Sequence, residues 1–196
     1  CLILSILTSC ASRYRKINPE EINYVSKGQD ENKTVSLEYK YDLLHKKYRK
    51  KEKNKDIKLI AIKVTNNSEQ DLVLGRDIKI LFSNGNEPHI LDSSHVYDEL
   101  KQQSAWYLFY LLLTPLNFST TDSNGEVSNT TPIGLVVGPG LTAGNMLGAS
   151  GANKNFEKEL IHYNIYGTEI YSGQTKYGLI GIEADSFESL TIEVVN

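Results

Sequence analysis

The stretch Lys58-Leu-Ile-Ala-Ile-Lys-Val64 decides the fold class. It is nearly continuous apolar and β-branched, the composition of a central strand. Turn chemistry follows directly in Thr65-Asn66-Asn67-Ser68. Leu72 to Leu74 and Ile78 to Phe82 then read as further strand, broken at Gly75. Ser83-Asn84-Gly85-Asn86, with Asn-Gly at its centre, closes the next turn. Upstream, Val35, Leu37, Tyr39, Tyr41 and Leu43 alternate with Thr34, Ser36, Glu38, Lys40 and Asp42, the pattern of a half-buried strand. Near the other end Thr175 to Glu183 is strand-like, and Leu190, Ile192 and Val194 alternate with Thr191, Glu193 and Val195.

The pattern changes between these blocks. Asp92-Ser93-Ser94 are N-cap residues, and His95 to Leu113 reads as one helix up to the stop at Pro115. A polar loop is expected over Ser119 to Thr131. A second helix is expected from Pro139, at its first turn, to about Tyr163. Strands at both ends thus bracket a helical middle. The expected fold is α+β: an immunoglobulin-like β-sandwich over residues 33–196, with a helical hairpin inserted at about 93–164. Gly140, Gly144 and Gly148 recur every four residues and form one stripe on a helix. Each interior Gly costs about 1 kcal/mol relative to Ala, so close approach of the bulky Trp106–Leu113 segment is the expected compensation. The competing reading makes this element a membrane-touching or self-assembling one, because small-residue stripes serve membrane helices.

Near the start, Ile3-Leu-Ser-Ile-Leu-Thr-Ser-Cys10-Ala11 is an apolar run ending in Leu7-Thr8-Ser9-Cys10. It resembles the lipobox of bacterial lipoproteins. That resemblance implies cleavage before Cys10, which becomes the acylated first residue. Residues 1–9 would then be the remnant of a signal peptide and residues 10–32 a lipidated tether. The run is far shorter than the roughly 20 apolar residues that span a bilayer. Surface-export signals of some Gram-negative lipoproteins are acidic and no acidic cluster follows Cys10, so the resemblance implies the cell envelope, on the outer membrane facing the periplasm. The only other cysteine is Cys1, so the folded part has no disulfide to draw on. Lys58–Leu74 followed by Ile78–Gly85 is similar to small bacterial secreted sandwich domains of unknown function, and Tyr171–Glu183 with Leu190–Val194 looks like their closing strands. Gly151–Leu160 together with that ending resembles uncharacterised lipoproteins of Bacteroidetes. No activity comes with that resemblance.

The chemistry-bearing motifs are sparse. The net charge of −3 over 196 residues excludes an overall nucleic-acid signature. No nucleophile elbow, zinc-protease motif, phosphate loop or dinucleotide fingerprint is present. The chain is therefore read as a non-enzyme without cofactor. His89, Asp92, His95 and Asp98 follow one another at three-residue steps, but Asp92 is a cap and His89 precedes the helix, so no metal is assigned to them. Asp122 to Glu126 reads as a turn without the ligand spacing of a calcium loop. The strongest charge feature is Lys46-Lys47-Tyr48-Arg49-Lys50-Lys51, with Lys53, Lys55 and Lys58. It is expected as a basic turn, solvated at a hairpin tip, or in contact with anionic headgroups or an acidic partner. The expected function is a lipid-anchored, non-catalytic envelope protein that binds or scaffolds an envelope protein or glycan. The expected interaction residues are Lys46, Lys47, Arg49, Lys50, Lys51, Trp106, Gly140, Gly144 and Gly148.

Overall fold

A computed structural model describes residues 11–113, 117–121, 127–131 and 134–195. The chain is mixed helix and antiparallel sheet, 33% helical and 31% strand. It forms two compact units: Tyr14–Lys101 with Asn155–Asn196, and Cys1–Arg13 with Gln102–Lys154.

The larger unit is built around β3 (Ile57–Asn66), the strand expected from Lys58–Val64. It lies between β2 (Val35–Lys40) and β10 (Thr175–Glu183) in a five-stranded sheet. With β1 (Ser26–Gln29) and β6 (Ile90–Leu91) at its edges, the sheet has the order β1-β2-β3-β10-β6. Both faces of β3 are covered, which is why its sequence does not alternate. One face points Ile60, Ile62 and Val64 into a core shared with Val35, Leu37 and Tyr39 of β2 and Ile180 and Ile182 of β10. The same core takes Ile78 and Ile80 from β5 (Ile78–Phe82) and Leu190 and Ile192 from its partner β11 (Leu190–Val194). It is completed by Leu72 and Ile170 from the short pair β4 (Leu72–Val73) and β9 (Glu169–Ile170). Gly28 of β1 permits the close crossing of β11, since a Cβ there would lie 2.8 Å from the Leu190 carbonyl oxygen.

The other face of the sheet carries helices. The basic turn expected after Leu43 is instead a helix, α1 (Lys46–Asn54). Tyr48 and Glu52, four residues apart, make its buried side, with Leu44 buried just before its start, and Lys, Arg and Glu are good helix formers elsewhere. The third buried member is a charged residue, so the apolar period does not show in the sequence. Strand β2 pairs with β3 no further than Lys40 opposite Ala61. Two residues beyond, the Leu59 N–H donates to Glu52 Oε1 at 2.9 Å. The helix thus satisfies a buried donor that a longer β2 would otherwise have met.

Helix α2 (Ser93–Leu100) begins at Asp92, whose side chain accepts from the Ser94 N–H, as the cap chemistry predicts. Its Val96 rests on β10 at Gly181, where an added Cβ would collide with Val96 Cγ2. Gly181→Ala is therefore expected to cost about 1–3 kcal/mol through overpacking. Adding Val96→Ala should recover part of this in urea melts. A Gly181→Ala protein as stable as the parent would refute this packing.

The segment expected as one helix to Leu113 divides. α2 stops at Leu100, and Lys101 is extended. The reason is a set of amide contacts around Gln102. Its N–H donates to Asn153 Oδ1 at 2.8 Å and its carbonyl accepts from Asn153 Nδ2 at 2.8 Å. Its side-chain amide exchanges hydrogen bonds with the backbone of Ser12. A 3₁₀ stretch, Ser104–Leu113, follows. The expected polar loop holds an antiparallel pair, β7 (Phe118–Thr121) and β8 (Val127–Thr131). Helix α3 (Gly134–His162) starts before Pro139 rather than at it. The middle is thus not a two-helix hairpin.

Nor are residues 11–32 a tether. Tyr14, Ile17 and Pro19 are buried, and β1 joins the sheet. The Tyr14 hydroxyl and the Ile17 N–H both donate to Glu159 Oε2, at 2.7 and 2.8 Å. The Ala11 N–H donates to Asn145 Oδ1 at 2.6 Å. Cys1, Cys10 and the Asp122–Glu126 turn lie outside the described residues.

Candidate functional site

With Tyr48 and Glu52 turned inward, α1 presents Lys46, Arg49, Lys50 and Lys53 at spacings of three and four, one continuous face. This face borders a cleft of about 700 Å³. Lys58 of β3 and the loop Asp185-Ser186-Phe187 after β10 form its other borders. Five cations therefore meet two carboxyl groups, Glu52 and Asp185, in one concavity. Of the cations, Arg49 pairs with Asp42 at 3.0 Å, a solvent-exposed pair of small worth. Lys58 donates to the Ala184 carbonyl at 2.8 Å. Among the described residues Lys46, Lys50 and Lys53 make no ion pair and keep their full attraction for an outside anion.

Phe187 supplies the apolar side. Its ring is 55% exposed, lies 5.1 Å from the Tyr41 ring and has Lys58 Nζ at 5.9 Å from its centroid. The Tyr41 hydroxyl donates to the Glu188 carbonyl at 2.8 Å and fixes the loop. Burial pushes the Tyr41 hydroxyl above its ordinary range, so it stays protonated as a donor. Burial also pushes the Glu52 carboxyl up to about 7, against the opposing pull of the Leu59 N–H and Lys58. Near neutral pH the cleft is therefore more positive than a count of its residues suggests.

The structure brings together Lys46, Arg49 and Lys50 of the expected residues and leaves Lys47 and Lys51 outside the cleft. Lys51 instead donates to the Glu99 carbonyl at 3.3 Å, and burial beside Lys55 lowers its pKa. Phe187, Asp185 and Glu52 were not singled out in the sequence. A helical period applied to the basic run finds Glu52, whereas nothing local marks Phe187.

The remaining sequence candidates part company. His89 pairs with Glu183 at 3.0 Å, Asp92 caps α2, and Asp98 meets Lys101 at 2.6 Å. Among the described residues no three His, Cys, Asp or Glu side chains converge on a metal position. A Cβ added at Gly140 or Gly144 would have nothing within 4 Å among the described residues, and one at Gly148 would meet only the Ala11 Cβ, at 3.4 Å. Among the described residues, no large side chain of the Trp106–Leu113 segment lies against these three glycines. Trp106 itself is 62% exposed.

Comparison with protein-family models, with curated proteins and with solved structures returns no match. The functional reading rests on the chain's own geometry.

Proposed function

We propose that this protein is a lipid-anchored, non-catalytic binding module of the cell envelope whose cleft between α1 and Phe187 captures an anionic group of an envelope protein or glycan. The row of cations, of which Lys46, Lys50 and Lys53 make no ion pair among the described residues, lining one cleft with a half-exposed aromatic ring carries the reading. Cations separated by about 4 Å from an anion gain about 1 kcal/mol each even in bulk water, and more in a concavity. The ring adds apolar contact area for a ligand that is not purely charged. The lipobox-like Leu7–Cys10 supports acylation at Cys10 on the outer membrane, facing the periplasm. Two packed groups of antiparallel strands around one core support an immunoglobulin-like sandwich as the scaffold. No nucleophile with a positioned base stands in the cleft among the described residues, and this favours binding over turnover.

Naphthalene disulfonate is a suitable probe, since it joins two permanent negative charges to an aromatic body. Titrated into the isotope-labelled protein, it should shift the amide resonances of Arg49, Lys50, Lys53 and Phe187. Lys50→Glu with Lys53→Glu should weaken binding at least about tenfold, and Lys51→Gln should leave it unchanged. Equal losses from Lys50 and Lys51 variants, or shifts that bypass Phe187, would sink the proposal.

A further inference from the structure

The 3₁₀ stretch Ser104–Leu113 holds no charged residue. A helix of three residues per turn stacks every third side chain in one row. Trp106, Phe109 and Leu112 form such a row, 62%, 59% and 70% exposed, with Trp106 stacked on Phe109 at 5.3 Å. Leu108 and Leu111 form a second, 48% and 43% exposed. Among the described large side chains of the stretch, Tyr107 turns inward, 3% exposed against Ala149. Five large apolar side chains thus stand outward on one short segment, a surface that isolated soluble chains seldom carry. Helix packing does not account for them, because the glycine stripe has no bulky neighbour among the described residues.

The same unit fixes the point where the undescribed N-terminal segment ends. Ala11 packs beside Tyr107 and Ala149, and its N–H is held by Asn145 at 2.6 Å. Ala11 is the first described residue of this segment, and Cys10 precedes it in the sequence. We propose that Trp106, Leu108, Phe109, Leu111 and Leu112 seat in the headgroup–acyl boundary of the bilayer that carries Cys10. This rests on acylation at Cys10 for its placement in the cell. The surface itself has the composition of an interfacial element: Trp, Phe and Leu without charge, and a Trp indole already satisfied by Gln103. Among the described residues no helix is long and apolar enough to cross a membrane, so the contact is a shallow one.

Trp106 is the sole tryptophan and reports the contact. The full chain with Cys1→Ser keeps Cys10 as its one thiol. That thiol is coupled to a maleimide phospholipid in phosphatidylethanolamine–phosphatidylglycerol vesicles, which imposes the tether whether or not cells acylate Cys10. With lipids brominated near the carbonyl end of their chains, Trp106 emission is expected to fall about twofold or more relative to plain lipids. Leu108→Asp with Leu112→Asp should abolish that loss while the protein stays coupled. Unquenched Trp106 on tethered protein overturns the proposal. So does quenching that survives the double substitution. Blue-shifted, quencher-shielded Trp106 before vesicles are added also overturns it, since the N-terminal segment or a second copy then covers the rows. The mass of Cys10 from membranes tests acylation separately, so failure of the anchor and failure of the apolar contact are told apart.

Discussion

Phe156→Ala is expected to lower the unfolding free energy by about 3–5 kcal/mol, the range for deleting a fully buried aromatic side chain. Phe156 is 0% exposed. Its ring lies 5.0 Å from Tyr48 of α1, 5.4 Å from Tyr14 and 6.3 Å from Tyr97 of α2. Three parts of the chain far apart in sequence therefore meet on the Phe156 ring. Tyr48 lies on α1 opposite the cation row, so the loss should also reach the cleft. Naphthalene disulfonate should bind the variant more weakly although no cation has been touched. Urea unfolding checks the first expectation and titration the second. A stability loss below about 1 kcal/mol would show that the surrounding rings collapse onto the space.

Glu52 is expected to make the fold less stable as pH rises. Its carboxyl moves from 4.5 to about 7 on folding, chiefly through burial. Between those values the folded protein holds a proton that the unfolded chain has released, so stability falls as pH rises through that window and is level above it. The shift corresponds to on the order of 3 kcal/mol at most. Glu52→Gln keeps a carbonyl for the Leu59 N–H but carries no charge. It should flatten this part of the profile and be the more stable protein at pH 8. Unfolding free energies of both proteins at pH 5 through 8 decide it; a constant difference across that range would refute a buried titrating Glu52. The same proton removes a negative charge from the cleft. Naphthalene disulfonate, whose own charge does not change, should bind the parent more tightly at pH 6 than at pH 8 and bind Glu52→Gln alike at both.

Much of the sheet was legible because strand burial leaves a local trace. Val35, Leu37 and Tyr39 alternate because one face of β2 meets the core and the other does not. Lys58–Val64 does not alternate because β3 is covered twice. Asp92 was legible as a cap because capping is completed within two residues. Helix α1 was not legible, since its inward side is Tyr48 and Glu52, with Leu44 just before its start. A carboxylate looks like a surface residue until a buried backbone N–H is found waiting for it. The break after Leu100 was hidden for a similar reason: the amides of Gln102 and Asn153 that enforce it lie 51 residues apart.

The amino-acid sequence by itself determined the principal strands β2, β3, β5, β10 and β11 and the lipobox-like pattern Leu7–Cys10. These follow from nearest-neighbour pattern and composition. Tertiary structure alone decided which cations share a cleft. It placed Lys46, Arg49, Lys50 and Lys53 on one face and turned Lys51 away. It also brought the loop after β10 to Lys58, whose Nζ reaches a carbonyl 126 residues along the chain. It likewise decided that Trp106 and its apolar neighbours face outward beside Ala11. The hydrophobic effect specifies that such side chains leave water, but not whether protein or lipid receives them.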